Sequence, residues 1–434
     1  MDYAAAESYL LATINETVSR RMPYRLERMR AFLRELGDPQ AKYPTVHIGG
    51  TSGKGSTSTI VAAALQAGGK RVGLHTKPHL RSMTERARVD GVPISEERFA
   101  QLLESMMPAI ERTTVSHGRP TYYETLLALT FMAFAQEPVD VAVIEVGLGG
   151  RLDGTNIIVP RVAAITSVGY DHVDVLGETL EEIAEEKGGI AKPNVPLVIG
   201  VEDAGARDVV LAQAARVGAP VIELRDAATI EDVRLLRTAQ AFTVATPRGR
   251  YEIVTTMLGE FQRRNTAMAV AILEQLDESL RPSIAAVQAA LAPLVIPGRM
   301  EVYPGHPTVV FDIAHNAEKA DHLVRSLRES FGDRRFSFVV AIGESKDATE
   351  IVRALATLPA GFIFTTFEAA GRHAIKPARL ASIAESVGTW GRAVNDPVEA
   401  LAIARRNSAA SDVVVVTGST FVVAQLREWW LVAA

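Results

Sequence analysis

A glycine-rich turn joins a short apolar strand to an apolar helix, and it constrains the fold more than any other segment. It lies between the β-favouring run 45–48 and the helical run 57–67. Its residues are Gly50, Thr51, Ser52, Gly53, Lys54, Gly55 and Ser56. Glycines let backbone N–H groups close around an anion, and the helix start adds the positive end of its dipole. Because Lys54 adds a point charge and Ser56 a hydroxyl suited to Mg²⁺, the turn predicts a nucleoside triphosphate site.

The spacing of this turn differs from the standard Walker form. Ile48 stands where that form has its first glycine, and the pattern is instead Gly50-x-x-Gly53-Lys54-x-Ser56. The alternative interpretation is a flexible surface turn. Glycines, a lysine and a serine together at a strand–helix junction favour phosphate binding.

Composition excludes several classes of partner. The 434 residues include 46 basic and 51 acidic side chains, which gives no electrostatic case for nucleic acid or an anionic membrane surface. No cysteine is present, so disulfides and thiolate metal sites are excluded, which fits a cytoplasmic protein. Residues 1–13 lack the pattern of a signal peptide, and no apolar run is long enough to span a bilayer.

Strand and helix patterns alternate along the chain and predict an α/β fold with a parallel sheet covered by helices on both faces. The run 3–36 has helical spacing, and a more β-like patch covers about 220–258. Two prolines and a glycine at 293–298 predict a domain boundary, after which a smaller α/β pattern follows. Strands are predicted at 45–48, 139–146, 162–167, 196–200, 308–313, 336–342, 361–366 and 413–417, and helices at 57–67, 95–112, 122–136, 178–187 and 204–217.

Polar residues follow several of these strands. Glu145 ends the run 139–146, and His172 lies in the loop after 162–167 beside Asp171. Ligands of open parallel sheets bind beyond the carboxyl ends of the strands, and a carboxylate there suits Mg²⁺. The alternatives are a plain turn with a capped acid and an incidental histidine. For Lys187, which follows four glutamates in a helix, composition favours an ion pair on a solvated face.

Together these segments resemble the folylpolyglutamate synthase/dihydrofolate synthase branch of the Mur ligase superfamily over nearly the whole chain. The glycine turn differs from the family's Gly-Thr-Asn-Gly-Lys-Gly-Ser only at Ser52, and the run 145–153 is close to identical to the family signature. Further matching segments, in the family's order, are 76–80 with 85–86, 121–124, 171–172, 186–190, 262–265, 297–301, 312–316 and 417–419.

The resemblance implies a P-loop-type, mostly parallel N-terminal ATPase domain at 1–296 and a smaller Rossmann-like α/β glutamate-ligase domain at 297–434. It implies an ATP-dependent ligase that adds L-glutamate to the carboxylate of dihydropteroate, a folate or both. The acid would be activated as an acyl phosphate, and ADP and phosphate would be released. The partners would be these small molecules, with no nucleic acid or membrane, and the enzyme would be a cytoplasmic monomer.

The resemblance also implies residue roles. Two Mg²⁺ ions would be held by Ser56, Glu145, His172 and a carbamylated Lys187, and K⁺ is a further cofactor that the resemblance allows. ATP would contact the glycine turn and, across a domain interface, Asn265, Arg299, Asp312 and His315. The catalytic residues would be Lys54, Lys187 and His315. The substrate-binding residues would be Leu26, Glu27, Arg28, Pro78, His79, Tyr123, Glu124, Arg151, Asp153 and Ser419.

The chain departs from the family pattern at Ser52, Lys77, Phe261 and Ile313. Lys77 replaces a small hydroxyl residue, and its added charge suits a carboxylate or phosphate that a pteroate lacks. Two other functions therefore stay open at this point: a Mur-type ligase for a different acid, and a nucleotide-binding switch without ligase activity. ATP turnover that requires both an acid and an amino acid would indicate a ligase.

Overall fold

The computed structural model of the chain describes residues 1–14, 26–236, 238–369 and 371–433. The helices are α1 (Tyr3–Leu11), α2 (Leu26–Glu35), α3 (Lys54–Ala67), α4 (Glu96–His117), α5 (Tyr122–Gln136), α6 (Val173–Leu176), α7 (Leu180–Gly188), α8 (Ala204–Val217), α9 (Leu224–Ala227), α10 (Glu260–Glu274), α11 (Ile284–Leu291), α12 (Ala317–Phe331), α13 (Ala348–Leu355), α14 (Pro377–Ser386), α15 (Pro397–Asn407) and α16 (Thr420–Ala433). The strands are β1 (Thr45–Gly49), β2 (Val72–His75), β3 (Arg88–Val89), β4 (Val92–Pro93), β5 (Val141–Glu145), β6 (Val162–Ile165), β7 (Leu197–Ile199), β8 (Val221–Glu223), β9 (Thr229–Leu235), β10 (Gln240–Thr246), β11 (Gly249–Thr255), β12 (Glu301–Tyr303), β13 (Thr308–Phe311), β14 (Phe336–Val340), β15 (Ala360–Phe364), β16 (Gly391–Ala393) and β17 (Val413–Thr417).

The chain forms two compact units. The first contains Met1–Asp232, Phe242–Ile253 and Arg264–Ala292, and the second contains Val233–Ala241, Val254–Arg263 and Pro293–Ala434. Strands β9, β10 and β11 form a three-stranded sheet.

An eight-stranded sheet organises the first unit, in the order β4-β3-β2-β5-β1-β6-β7-β8. The neighbouring strands in the part β2-β5-β1-β6-β7-β8 pair in parallel. The short strands β3 and β4 add an antiparallel edge beside β2. Strand β1 lies between β5 and β6, with Ile48 opposite Glu145 and Gly49 opposite Ile165. This order brings the glycine turn, Glu145 and the loop after β6 to the same edge of the sheet.

Helices cover both faces of this sheet. Helix α5 begins at a capping box in which Thr121 and Glu124 satisfy each other's backbone N–H groups, and its apolar residues share a core with Ala142 and Ile144. Since side chains alternate along a strand, Val141 and Val143 face the opposite side, where α3 contacts β5. The mostly apolar sequence of β5 follows from this burial on both faces.

The second unit contains a six-stranded sheet in the order β12-β13-β17-β14-β15-β16. Strand β12 is antiparallel to β13, and the other neighbours are parallel. Its core combines α12, α13 and α14 with β14 and the phenylalanines of β15. The predicted α/β fold class, with a larger and a smaller mostly parallel sheet, is confirmed.

Some predicted element boundaries were wrong. Helix α3 begins at Lys54 rather than at residue 57, because Gly53 has a left-handed φ of 84° and turns the backbone directly into the helix. In the predicted helical run 3–36, α1 ends at Leu11 and α2 begins at Leu26, and residues 15–25 lie outside the described residues. The β-like patch at 220–258 contains strands but also the short helix α9. Among the described helices, none combines the length and the apolar character that a bilayer span requires.

Two fully buried histidines make the stability of the fold depend on pH. Burial, together with the charge of Lys192, lowers the pKa of His47 to about 3. Burial and the charge of Arg86 lower the pKa of His75 to about 4. In the unfolded chain both imidazoles titrate near 6.5, so the unfolded state binds protons that the folded state rejects.

We therefore expect stability to be highest above pH 6.5 and to fall with decreasing pH. The expected loss at pH 5 is about 2 kcal/mol for each of the two histidines. Urea unfolding at pH 7 and pH 5 measures it, and the pH dependence should be smaller in a His47→Gln variant. Equal unfolding free energies of the native sequence at the two pH values would contradict the prediction.

Candidate active site

The glycine turn connects β1 to α3 in a conformation that only glycine adopts without strain at two positions. Gly50 has φ 135°, and a Cβ there would lie 2.1 Å from Thr166 Oγ1 and 3.0 Å from the backbone nitrogens of Thr166 and Ser167. Gly53 has φ 84°, and a Cβ there would lie 2.4 Å from Asn265 Oδ1. The turn therefore requires glycine for its backbone angles and for close approach to its neighbours.

The residues that follow β6 hold this turn in place. The Thr51 N–H donates to Ser167 O at 2.9 Å, and the Ser52 N–H donates to Ser167 Oγ at 2.9 Å. The Thr166 hydroxyl donates to Ser52 O at 2.6 Å. These bonds join segments more than 100 residues apart in the chain, so the shape of the turn depends on the pairing of β1 with β6.

Two lysines converge on one carbonyl of the turn. Lys54 Nζ donates to Gly50 O at 2.7 Å and to Thr51 O at 3.1 Å. Lys187, at the end of α7, is only 3% exposed, and its Nζ donates to Gly50 O at 3.2 Å. The alternative that Lys187 forms an ion pair on a solvated face is therefore wrong, because its side chain is buried against the glycine turn.

Glu145 ends β5 and lies beside the start of α3. Its side chain is buried, and Oε2 accepts a hydrogen bond from the Lys77 N–H at 3.1 Å. A Cβ on Gly55 would lie 3.3 Å from the same oxygen, so the carboxylate lies over the first helical turn, which also contains Ser56. The sequence prediction that Glu145 adjoins the glycine turn is confirmed.

One cavity at this edge of the sheet brings several predicted residues together. Gly50, Thr51 and Lys54 line it from the glycine turn, Lys187 from α7, and His172 from the loop after β6. The remaining lining comes from Lys77, Val146, Gly147, Leu148, Gly149, Asp171 and Leu176. A cavity with three lysines and exposed backbone at a helix start suits a polyanion such as a triphosphate.

Two places in the site offer ligands for a metal ion, one at Glu145 and Ser56 and the other at His172 and Asp171. The Glu145 carboxylate and the Ser56 hydroxyl offer oxygen ligands, and Mg²⁺ is usually held by one or two carboxylates together with substrate phosphates and water. His172 adjoins Asp171, with His172 Nε2 3.8 Å from Asp171 Oδ1. Within the described ranges, no group of three or more His, Cys, Asp or Glu side chains could hold an ion by itself. The residues therefore fit an Mg²⁺ ion that a phosphate ligand helps to bind.

Arg28 and Glu124 form an ion pair between α2 and α5. Arg28 Nε lies 2.9 Å from Glu124 Oε2 and 3.2 Å from Oε1, and both side chains are largely buried. On the same helix as Arg28, Leu26 is half-buried and Glu27 is exposed. Because Glu124 also accepts from the Thr121 N–H at 2.8 Å, its carboxylate fixes the position of α2 against the start of α5.

Asp153 uses both carboxylate oxygens within the protein. Oδ1 accepts from the Tyr123 hydroxyl at 3.2 Å and from the Thr155 N–H at 3.0 Å, and Oδ2 accepts from the Leu148 N–H at 2.8 Å. Burial, followed by the negative charge of Asp153, raises the pKa of Tyr123. Asp153 therefore shapes the loop after β5, while the neighbouring Arg151 is exposed and pairs with Glu186.

The segment after β2 is ordered by charged groups. Arg86 Nε donates to His79 Nδ1 at 3.0 Å, and burial together with this guanidinium lowers the pKa of His79 to about 4. Glu85 accepts from the backbone N–H groups of residues 80, 81 and 82 at 2.8 to 3.1 Å. Pro78, between Lys77 and His79, is exposed.

In the second unit, Asp312 and His315 follow β13. Asp312 accepts from the Met300 and Ala314 N–H groups at 2.9 Å each, and burial raises its pKa although the charge of Arg299 opposes this. Burial and then the charge of Lys319 lower the pKa of His315 to about 3, so the imidazole is neutral at pH 7. Its Nδ1 lies 2.8 Å from Ile313 O and carries the proton, and Nε2 accepts from Lys319 Nζ at 3.3 Å.

The turn that carries Arg299 is fixed by Glu301. Glu301 Oε2 accepts from the Gly298 N–H at 2.8 Å and lies 2.7 Å from Arg427 Nε of α16. The Tyr303 hydroxyl donates to Oε1 at 2.6 Å. Of the other predicted residues, Ser419 is buried in the second unit and Asn265 lies beside Gly53 in the first.

Sequence reasoning missed the residues that hold the turn and one that lines the cavity. Thr166 and Ser167 follow β6, and only the position of β6 beside β1 brings them to the turn. Lys77 was noted as a departure, but its position in the cavity wall was not predicted. The replacement of a small hydroxyl residue by a cation was the sequence feature that could have indicated this position.

Backbone amides and ammonium groups around one glycine turn, beside a carboxylate that can share a divalent ion with a phosphate, meet the requirements of a nucleoside triphosphate. The fold and the site together define a nucleotide-dependent α/β enzyme.

Comparisons with known proteins agree with this class. Residues 48–273 match the Mur ligase middle domain, and residues 298–420 match the Mur ligase glutamate ligase domain. A Bacillus subtilis protein named dihydrofolate synthase/folylpolyglutamate synthase is 33% identical over 408 residues, which cover 93% of this chain and 94% of that protein. A Mycobacterium tuberculosis folylpolyglutamate synthase solved with ADP superposes with a TM-score of 0.89 at 31% identity, covering 99% of both chains. An E. coli structure with DHPP and ADP superposes with a TM-score of 0.87 at 26% identity, and the superposition covers 100% of this chain and 98% of that one.

The chain therefore belongs to the Mur ligase family, in its branch of folylpolyglutamate and dihydrofolate synthases. It is an ATP-dependent ligase, as the resemblance implied. The comparisons give no support to a ligase for a non-folate acid.

Proposed function

We propose that the chain joins L-glutamate to the carboxylate of dihydropteroate, of a folate, or of both, with ATP bound at the glycine turn 50–56. The convergence of Lys54 and Lys187 on Gly50 O, beside the buried Glu145, is the observation that most directly supports this site. The relatives named above support the choice of acceptor and amino acid.

The reaction proceeds in two steps. A carboxylate oxygen of the acceptor forms a bond to the γ-phosphorus of ATP while the bond from that phosphorus to the bridging oxygen breaks, and ADP leaves with the electron pair. The amine of glutamate then attacks the acyl carbon, phosphate leaves, and the amine loses a proton as the amide forms. Negative charge accumulates at the phosphoryl group, so Lys54 and the backbone N–H groups of the turn contribute by electrostatic stabilisation.

The residues that would hold Mg²⁺ are Ser56 and Glu145 at the turn, with His172 and a modified Lys187 at a second position. Bound Mg²⁺ supplies neutralisation of the phosphate charges. An unmodified Lys187 ammonium would repel a cation, whereas carbamylation of its amine, with loss of a proton, creates anionic oxygen ligands. The Lys187 side chain is buried beside the glycine turn, where a carbamate would face the bound phosphates.

We expect Lys187→Met to lower kcat about 100-fold, because it removes a ligand of the reacting centre. After equilibration with ¹³C-bicarbonate, ¹³C NMR should show a carbamate signal in the native protein that is absent in this variant. Lys192→Met is the matched control, since Lys192 is also a partly buried lysine, with its pKa lowered to about 8, and it does not line the cavity. Loss of the signal only in the control would contradict the assignment, as would full activity of Lys187→Met.

The proposed function is tested by product analysis. Purified protein with ATP, Mg²⁺, L-glutamate and either dihydropteroate or tetrahydrofolate should yield a product heavier by one glutamyl residue, with one ADP for each amide. No glutamylated product from either acceptor would overturn the proposal. ATP hydrolysis that needs neither acid nor amino acid would indicate a nucleotide switch instead.

The remaining assignments belong to the same proposal. These are the domains at 1–296 and 297–434, the contacts of ATP with Asn265, Arg299, Asp312 and His315, and catalysis by His315. Substrate contacts of Leu26, Glu27, Arg28, Pro78, His79, Tyr123, Glu124, Arg151, Asp153 and Ser419 also stay predictions. So do the requirement for K⁺, the monomeric state and the cytoplasmic location.

A further inference from the structure

Lys77 places a cation in the wall of the nucleotide cavity at the position where the family pattern has a small hydroxyl residue. It lines the cavity together with Lys54 and Lys187. Its backbone N–H donates to Glu145 Oε2 at 3.1 Å, so the residue begins directly beside the buried carboxylate. Among the described residues, no acceptor is hydrogen-bonded to the Lys77 ammonium.

The charges around the cavity favour an anion near Lys77. Three lysines and His172 line it against one carboxylate, that of Asp171, with Glu145 adjacent. Lys54 and Lys187 both donate to Gly50 O and are therefore held at the glycine turn. Lys77 differs from them because its side chain is available to a group that enters the cavity.

We propose that Lys77 binds the phosphoryl group that is transferred from ATP to the acceptor carboxylate, and so acts as an additional catalytic residue. The inference rests on the proposed function. As the bond from the acceptor oxygen to the γ-phosphorus forms and the bond to the bridging oxygen breaks, charge spreads over the three other oxygens of the phosphoryl group. A lysine that contacts one of these oxygens stabilises the transition state more than the ground state.

Position favours the γ-phosphoryl group over other parts of the nucleotide. Glu145 pairs in register with Ile48, the second residue before Gly50, and its carboxylate lies over the first turn of α3. Lys77 approaches this carboxylate from β2, on the side of β5 away from β1. Lys77 therefore reaches the cavity from the end of β2 and the glycine turn reaches it from the end of β1, and we place the γ-phosphoryl group between these two strand ends.

Calorimetric titration with ADP and with a non-hydrolysable β,γ-methylene analogue of ATP, at fixed Mg²⁺, tests the proposal without turnover. In Lys77→Gln we expect the analogue to bind about 10-fold more weakly and ADP less than about 2-fold more weakly, because only the analogue has a γ-phosphoryl group. Lys77→Arg should restore most of the analogue's affinity. Lys42→Gln, which removes an exposed lysine outside the cavity, should leave both affinities unchanged.

Steady-state kinetics supply the second readout. Lys77→Gln should lower kcat about 10-fold or more, while KM for glutamate stays within about 2-fold. Equal weakening of ADP and the analogue, or no change in the analogue's affinity, would overturn the proposal. Thermal unfolding of both variants separates these results from a folding defect, and Lys77→Met provides the charge-removing measurement if Lys77→Gln does not fold.

This test is independent of the choice of acceptor. If the native protein glutamylates neither dihydropteroate nor tetrahydrofolate, the proposed function fails, yet a selective loss of analogue binding in Lys77→Gln would still assign Lys77 to the γ-phosphoryl group. If glutamylation occurs and the selective loss does not, only the role of Lys77 fails.

Discussion

Replacing Lys54 by methionine should lower kcat/KM for ATP about 1000-fold, because the variant removes the main cation at the glycine turn. Methionine keeps an unbranched apolar side chain of similar length, so packing at the start of α3 is preserved. In the native structure Lys54 Nζ bonds to Gly50 O and Thr51 O and lines the cavity, close to any phosphate that the turn binds. Steady-state kinetics with saturating glutamate and acceptor measure the effect.

The matched control is Lys42→Met, an exposed lysine of the same unit that does not line the cavity. It should keep full activity. A Lys54→Met enzyme with kcat/KM within about 10-fold of the native value would contradict the assigned role, since removal of a single catalytic donor typically costs 100-fold or more.

Gly50→Ala should both destabilise the first unit and abolish tight nucleotide binding. The added Cβ would lie 2.1 Å from Thr166 Oγ1 and 3.0 Å from two backbone nitrogens. The hydroxyl can rotate away, but the backbone of Thr166 and Ser167 cannot, because it directly follows β6, which is paired with β1 and β7. The turn must therefore shift, and we expect an unfolding free energy lower by about 3 kcal/mol and ATP affinity lower by about 100-fold.

Gly69→Ala is the control that separates backbone strain from close contact as causes of the loss expected for Gly50→Ala. Gly69 also has a positive φ, 82°, but a Cβ there meets nothing within 4 Å. It should cost only the strain of a left-handed residue, about 1 kcal/mol, and leave ATP affinity unchanged. Urea unfolding and calorimetry measure both quantities. Equal effects of the two variants would show that backbone strain alone, and not the contact with Thr166 and Ser167, explains the loss at Gly50.

Much of the fold follows from local patterns. Alternating strand and helix signals predict the parallel sheets, and the capping residues Thr121 and Thr179 lie at the starts of α5 and α7. Boundaries were less predictable where backbone angles decide them, as at Gly53, whose left-handed conformation starts α3 three residues earlier than the apolar pattern indicated. The order of strands in the sheets could not be obtained from periodicity, because it depends on contacts between distant segments.

In the candidate site, too, some residues could be placed from the sequence and others could not. Glu145 and His172 were predicted correctly to lie near the turn, since both follow parallel strands. Lys187 was misjudged by composition, because neighbouring glutamates in sequence suggested a solvated helix face. The packing of α7 against the first sheet buries this lysine instead, beside Gly50. A pattern within one helix does not report which face of that helix another element covers.

By itself, the sequence determined the chemistry of the glycine turn, the residues at the strand ends and the family, because these depend on residue identity and short spacing. Only the tertiary structure decided that Thr166 and Ser167 form hydrogen bonds to the turn and that Asp153 accepts hydrogen bonds from the loop after β5. It also decided that Lys54, Lys77 and Lys187 meet at one cavity. The physical reason is that hydrogen bonds and buried charges act over a few ångströms, between residues that the pairing of β1 with β5 and β6 brings together from distant parts of the chain.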